Sequence, residues 1–197
     1  MQNRGTDNKN NSNLPMSRSA LQVFVAFFLI TVITVICLVG ASFAYDFYRG
    51  FYATSVLLDM SNSAKEVMHG YRWNKEILSE KLLKLNVLKP NLCKDSACRN
   101  LKIPFRSAKI IAGKNGIYLY TDLITDSPVV CDYLLTYDFK SKNGLDTTAK
   151  VEKENISGQE KVHIKTFDIP ASAEQVFNAC RVGIGEYILI SYKFILN

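Results

Sequence analysis

From Leu21 to Tyr45 the chain reads LQVFVAFFLITVITVICLVGASFAY, without one charged side chain. About 20 apolar residues in a helix that rises ~1.5 Å per residue cross the ~30 Å hydrocarbon core of a bilayer. The stretch therefore predicts a membrane-spanning helix. A cleaved secretory signal is the competing reading: its apolar region is shorter, roughly 7–15 residues, and is followed by small residues. Gly40-Ala41-Ser42-Phe43-Ala44 supplies such residues, but the length of the stretch favours a retained helix. Arg4, Lys9 and Arg18 precede it against Asp7, and Asp46 and Arg49 follow. Positive flanks stay on the cytoplasmic side, which predicts the N-terminus inside and the larger C-terminal part outside.

Residues 1–20 are Asn-rich and aperiodic, a polar cytoplasmic tail or a leader, with Met16 as an alternative start. The rest of the 197-residue chain divides into a transmembrane helix at 21–45, a helical region outside the membrane at 46–89 and an α+β globular region at 90–197. The net charge of +6 comes from lysines scattered among acids. No arginine-rich helix or aromatic RNA-binding motif accompanies them, so the charge reads as a solvated basic face and not as a nucleic-acid site.

Cys37 lies inside the apolar span and reads as an inert packing residue, whereas Cys93, Cys98, Cys131 and Cys180 all follow it. An even set beyond a membrane predicts two disulfides, and four cysteines allow three connectivities. The favoured one closes a small Cys93–Cys98 loop and a long Cys131–Cys180 clip. A closed loop of ~50 residues removes ~4 kcal/mol of unfolded-state freedom in the chain-entropy model. A metal site would need His69 and His163 to assist, and one C-x4-C pair with two distant cysteines lacks two-knuckle spacing. No metal and no cofactor is expected.

After Tyr45 the apolar positions Phe51, Val56, Leu57, Met60, Ala64, Val67, Met68 and Tyr71 recur at three-to-four spacing. This predicts that the helix continues, amphipathic, to about Tyr71. A second helix is predicted from about Asn74 to Leu85, with Lys89-Pro90 closing the region, and residues 91–106 read as irregular. Ala108–Ala112 and Ile117–Ile124 alternate as strands around the turn Gly113-Lys114-Asn115-Gly116. Ser127 and Pro128 have the chemistry of a helix cap and first position, opening a helix that carries Cys131. The polar 140–160 region has turns at Gly144 and Gly158 and an edge strand around Thr148–Glu152. Val162–Phe167 reads as another strand. Ser172 and Gln175 have capping-box spacing for a helix that carries Cys180 and ends at Gly183 or Gly185. The closing EYILISYKFIL (Glu186–Leu196) reads as a long central strand of an antiparallel sheet.

This order resembles type IV pilins, the type IVb group most, and implies their α+β fold: a long N-terminal helix, half transmembrane and half amphipathic, packed on an antiparallel sheet with a disulfide-clipped C-terminal region. Leu58-Asp59-Met60 through Tyr71 resembles the pilin helix that ends in tyrosine. Leu82–Pro90 resembles the passage that follows it, and Asn100-Leu101 with Ile103-Pro104-Phe105 and Ala108-Lys109-Ile110 resembles the lead into the first strand. Ser127–Leu134 resembles the helix bearing the first cysteine of the pilin C-terminal disulfide, with Cys180 as the second. By this resemblance leader processing would fall between Ala20 and Leu21, and Phe24, Phe27, Phe28, Ile33 and Val39 would form the helix assembly face. The chain departs from the pattern at two positions. Prepilins carry glycine before the cleaved bond, where Ala20 stands, and usually glutamate at the fifth mature position, where Val25 stands.

Two functional classes lead. One is a pilin or minor pilin of a type IV pilus-like filament, anchored first in a bacterial inner membrane with its C-terminal domain periplasmic. Its partners would be the membrane, other copies or pilin-like subunits, and envelope assembly proteins. The other is a bitopic inner-membrane component of an envelope secretion system that is never processed or polymerised. An enzyme is not expected: no G-x-S-x-G, phosphate loop or zinc-helix pattern occurs, and neither a catalytic residue nor a small-molecule substrate is assigned. Asn155-Ile156-Ser157 matches a glycosylation triplet, which has meaning only in a eukaryotic secretory protein.

Overall fold

The computed structural model describes residues 18–68, 75–113, 116–155, 161–183 and 185–196. The chain divides into two compact units, Met1–Ser42 and Phe43–Asn197, and the first helix, α1 (Arg18–Met68, 51 residues), runs through the boundary. In the first unit every side chain described from Leu21 to Ser42 is exposed. An aliphatic and aromatic helix with no polar face fits hydrocarbon rather than water. Its two threonines meet that condition within the helix: Thr31 Oγ1 donates to the Phe27 carbonyl (2.9 Å) and Thr34 Oγ1 to that of Ile30 (2.8 Å).

The second unit is α+β. Its part of α1 buries Gly50, Ala53, Thr54, Leu57, Met60, Ser61, Ala64 and Met68, a stripe at helical spacing. Phe51, expected on that stripe, is exposed instead, because the buried face turns at Gly50 and Ala53. The predicted helix end at Tyr71 lies outside the described residues. The predicted second helix is corrected: β1 (Lys75–Leu78) comes first and only Ser79–Lys84 is helical (α2). Ile77 pairs with Ile110 on the sheet edge, and that pairing overrides the local helical pattern. A 3-10 turn at Pro90–Leu92 follows. The region read as irregular to residue 106 already contains the start of β2 (Phe105–Gly113).

β2 pairs antiparallel with β3 (Gly116–Thr125), the hairpin expected there. The next three helices are α3 (Pro128–Thr136), α4 (Phe139–Asn143) and α5 (Ala173–Ala179), with β4 (Thr147–Asn155) and β5 (Lys161–Asp168) between the last two and β6 (Glu186–Ile195) closing the fold. Ser127 caps α3 with Pro128 at its first position, and Ser172 and Gln175 form the complete capping box of α5, as their spacing predicts. α5 ends earlier than expected: Cys180 is its C-cap, and neither Gly183 nor Gly185 terminates it. α4 had no clear periodic signal; it is one turn long, held by Asp138 at its start and by Gly144 in the left-handed region (φ 64°) at its end.

Among the described residues the six strands form one antiparallel sheet in the order β1-β2-β3-β6-β4-β5. β6 is central, as its unbroken β-branched and aromatic run predicts. The strand expected at an edge near Thr148 is interior: β4 lies between β6 and β5. Its polar residues alternate with Thr147, Ala149 and Val151, whose side chains are buried. Register aligns one buried face across the strands. Ile77, Ile110, Leu119, Phe194 and Thr147 form one row, and Ala108, Thr121, Tyr192, Ala149 and Phe167 the next.

Helices cover that face. Phe139 of α4 meets Tyr192 and Phe194 edge-on, with ring centroids 5.8 and 5.1 Å apart. The Tyr192 hydroxyl donates to the Leu134 carbonyl of α3 at 2.6 Å. Thr121 Oγ1 beside it is buried with no hydrogen-bond partner among the described residues. A buried unpaired hydroxyl costs roughly 1–3 kcal/mol. Thr121→Val keeps the shape and removes that hydroxyl, so thermal unfolding of the protein in detergent is expected to shift upward, by roughly 1 kcal/mol.

Burial holds the Tyr192 phenol well above its ordinary value. The unfolded chain therefore ionises this phenol first. Above pH ~10 the folded state binds more protons, and stability falls with pH by up to ~1.4 kcal/mol per unit. This contribution is fully present below pH ~10 and is lost as pH rises toward the folded-state value. In Tyr192→Phe the alkaline slope of denaturant unfolding is expected to flatten, after a loss of roughly 1 kcal/mol at neutral pH from the missing hydrogen bond.

Candidate assembly surface

The surface of interest begins with the apolar part of α1. Phe24, Phe27, Phe28, Ile33 and Val39 are each about three-fifths exposed. At about 100° per residue, Phe24, Phe28 and Val39 share one side, Phe27 flanks them and Ile33 lies opposite. The helix is thus apolar all round, with no single seam. Leu21 is exposed; the side chain of Ala20 lies outside the described residues, although its backbone is helical. Cys37 is a free, exposed thiol on the same helix.

Within the second unit, α1 is fastened to α3. Gly50 permits the contact: a Cβ there would come within 3.0–3.1 Å of the Tyr133 side chain. Phe47 meets Tyr133 edge-on at 5.0 Å. Beside the rings, Ser127 Oγ donates to Asp46 Oδ2 (2.8 Å) and accepts from the Val130 N–H (3.3 Å), so one hydroxyl both caps α3 and ties it to α1. Arg49 Nη1 lies 3.4 Å from Asp46 and 3.5 Å from Asp126. The only signal of this network in the sequence is the Asp46/Arg49 spacing just past the apolar stretch; their partners are some 80 residues on and were not foreseen.

The cysteines pair as favoured. Cys93–Cys98 closes a five-residue separation and Cys131–Cys180 a separation of 49. The second bond joins α3 to the C-cap of α5, and α4, β4 and β5 lie within its span. In the small loop, Asp95 Oδ1 accepts from the Arg99 N–H at 3.1 Å and Oδ2 from the Asn100 amide at 3.4 Å. Chiefly through the Arg99 N–H, these bonds hold the Asp95 carboxyl below its ordinary value.

His69 lies outside the described residues; His163 stands in β5 opposite Glu152, its side chain undescribed. Asn155 ends β4, and the rest of its glycosylation triplet lies outside the described residues. Among the described residues no three of His, Cys, Asp and Glu cluster as metal ligands. A groove of about 160 Å³ between α1 and the 87–92 segment is lined by Tyr52, Val56, Met60, Val87 and Leu92, with Asp59 and Lys89. That is well below the roughly 300–1,000 Å³ of small-molecule sites. Compared with known protein families, curated proteins and solved structures, the chain matches no family model, no curated protein and no solved structure.

Cys131 is fully buried and its bond joins two helices on the core face. Cys131→Ala is expected to lower the stability of the second unit by roughly 2–5 kcal/mol, read as denaturant unfolding under oxidising conditions. An unchanged midpoint would show that the clip contributes nothing.

Proposed function

We propose that the protein is a structural subunit, a pilin or minor pilin, of a type IV pilus-like filament assembled from a bacterial inner membrane. The observation that carries this reading is α1: one helix that is exposed and apolar around its circumference from Leu21 to Ser42, and built into an α+β unit from Gly50 to Met68. Such a helix is stable in lipid. It is equally stable in a bundle of like helices, where van der Waals packing replaces lipid contact. The same segment can anchor the subunit before assembly and line a filament afterwards. The N-terminus would lie in the cytoplasm and the second unit in the periplasm. The region clipped by Cys131–Cys180 would form the outward surface, open to other filaments, cells or further partners. No catalysis, cofactor or metal enters this proposal.

Ala20 and Val25 favour a second reading. The fifth-position glutamate of pilins pairs with a neighbour's N-terminal amine, and a charge in lipid is costly unless paired. A chain with valine there lacks that docking contact. It could instead serve as a permanent single-pass anchor whose periplasmic domain docks envelope secretion proteins.

Intact mass and terminal peptide sequencing of the protein from its native membrane separate the two. A chain that begins at Leu21, with a methylated amine, is the outcome expected of a filament subunit. One that begins at Met1 or Met16 would overturn processing and leave the fixed anchor, and cleavage near Ala44 would overturn both. In a filament subunit, Val25→Glu is expected to raise incorporation into sheared surface filaments, read by immunoblot. Absence from filaments in both forms would sink the filament reading.

A further inference from the structure

The chemistry of α1 changes along its length in a way that filament packing alone does not require. Tyr45, Phe47, Tyr48, Phe51 and Tyr52 follow the apolar stretch directly and are all exposed or nearly so, Tyr45 by 64% and Tyr48 by 63%. Phe47 turns to Tyr133 of α3; at about 100° per residue the other four occupy an arc of about 120°. The arc faces away from Gly50, Ala53, Thr54 and Leu57, which are buried. It contains no charged side chain. At the same level of the helix Asp46 and Arg49 stand beside the arc and meet Ser127 and Asp126, and the Arg49 guanidinium also lies 5.8 Å over the Tyr45 ring. About two turns beyond Tyr52 the outward face turns polar, with Asp59, Asn62 and Glu66 all exposed.

We propose that this aromatic arc is an interfacial belt that lies in the headgroup layer of a phospholipid bilayer. The proposal rests on the reading of Leu21–Ala44 as a membrane-spanning segment. That stretch rises ~36 Å as a helix, which with tilt fills a hydrocarbon core of ~30 Å. The tyrosines therefore begin where hydrocarbon ends. Tyrosine suits that layer because its ring is apolar and its hydroxyl is polar, so one end can sit against acyl chains and the other in water. A second copy of the chain fits the arc less well. Three of the four rings are tyrosines, and a helix–helix seam would have to supply each buried hydroxyl with a partner, which the headgroup layer supplies without one. A planar medium that surrounds the free side of α1 contacts them all. The belt would fix the depth of α1 until the subunit leaves the bilayer.

Depth-dependent fluorescence quenching tests this in the full chain, reconstituted into phosphatidylcholine–phosphatidylglycerol vesicles. Trp73 is the single tryptophan, so a Trp73→Phe background accepts one reporter at a time: Tyr48→Trp in the arc, Val32→Trp in the span and Asn62→Trp on the polar face. Tyr45→Trp is the second arc reporter should Tyr48→Trp fail to fold. The arc reporter is expected to be quenched most by a headgroup-level spin label and less by bromines near the bilayer centre. It should also emit to the blue of the Asn62→Trp reporter and be shielded from aqueous acrylamide. Quenching by acrylamide to the same extent as Asn62→Trp, with the Val32→Trp reporter still quenched by deep bromines, would overturn the belt and leave the membrane span intact. Shielding from both lipid labels and acrylamide would place the arc against protein and overturn it equally. Loss of deep quenching at Val32→Trp would overturn the spanning segment and the belt with it.

Discussion

The packing of the Gly50–Met68 stripe of α1 onto a one-sided sheet is the contact on which the rest of the second unit depends. Small residues at Gly50, Ala53, Ser61 and Ala64 let the helix approach closely, while Leu57, Met60 and Met68 fill the core. An antiparallel sheet with one apolar face must bury it, and here the long helix and the three short helices α3, α4 and α5 share that task. Within the same helix the side chains change from exposed and apolar, Leu21 to Ser42, to a stripe buried in a protein interior. Its backbone serves in both because every α-helical hydrogen bond is made within the segment.

The two cross-links act where helices alone would be marginal. α3 and α5 have only nine and seven residues, below the length at which isolated helices persist in water. Their caps, Ser127 and the Ser172–Gln175 box, satisfy end groups locally, and the Cys131–Cys180 bond joins the two segments. The Tyr192–Leu134 hydrogen bond and the Phe139–Tyr192–Phe194 ring cluster then bind both the disulfide-clipped region and the central strand to one core. Apart from Thr147 and Glu154, which are buried, the described polar residues of that region are partly or fully exposed.

For the proposed filament subunit, the consequential level of the molecule is that around Asp46–Tyr52. There the two sides of α1 differ: Asp46, Arg49 and Phe47 engage the α3 region, while Tyr48, Phe51 and Tyr52 are exposed away from it. Charge placed on the domain side is paired by Asp126 and Ser127, while the free side keeps the character of the apolar stretch for two more turns.

Features with a local physical cause were legible in the chain itself. The uncharged run from Leu21 to Tyr45, the caps of α3 and α5, the β2–β3 hairpin and the β-branched, aromatic β6 each follow from spacing or turn chemistry within a few residues. The even cysteine set pointed to two disulfides, and the favoured pairing is the one observed. The tertiary structure decided what depends on distant partners. Lys75–Leu78 became a strand because β2 offered Ile77 a partner, β4 became interior because β5 paired with its far side, and α4 formed where one turn could place Phe139 against Tyr192. The network of Asp46 and Arg49 with Asp126 and Ser127, and the outward turn of Phe51, likewise arise from which face of α1 meets α3. Hydrophobic period identifies a helix or a strand, but it carries no record of which neighbour will lie beside it, and that choice sets edge from interior and paired charge from free.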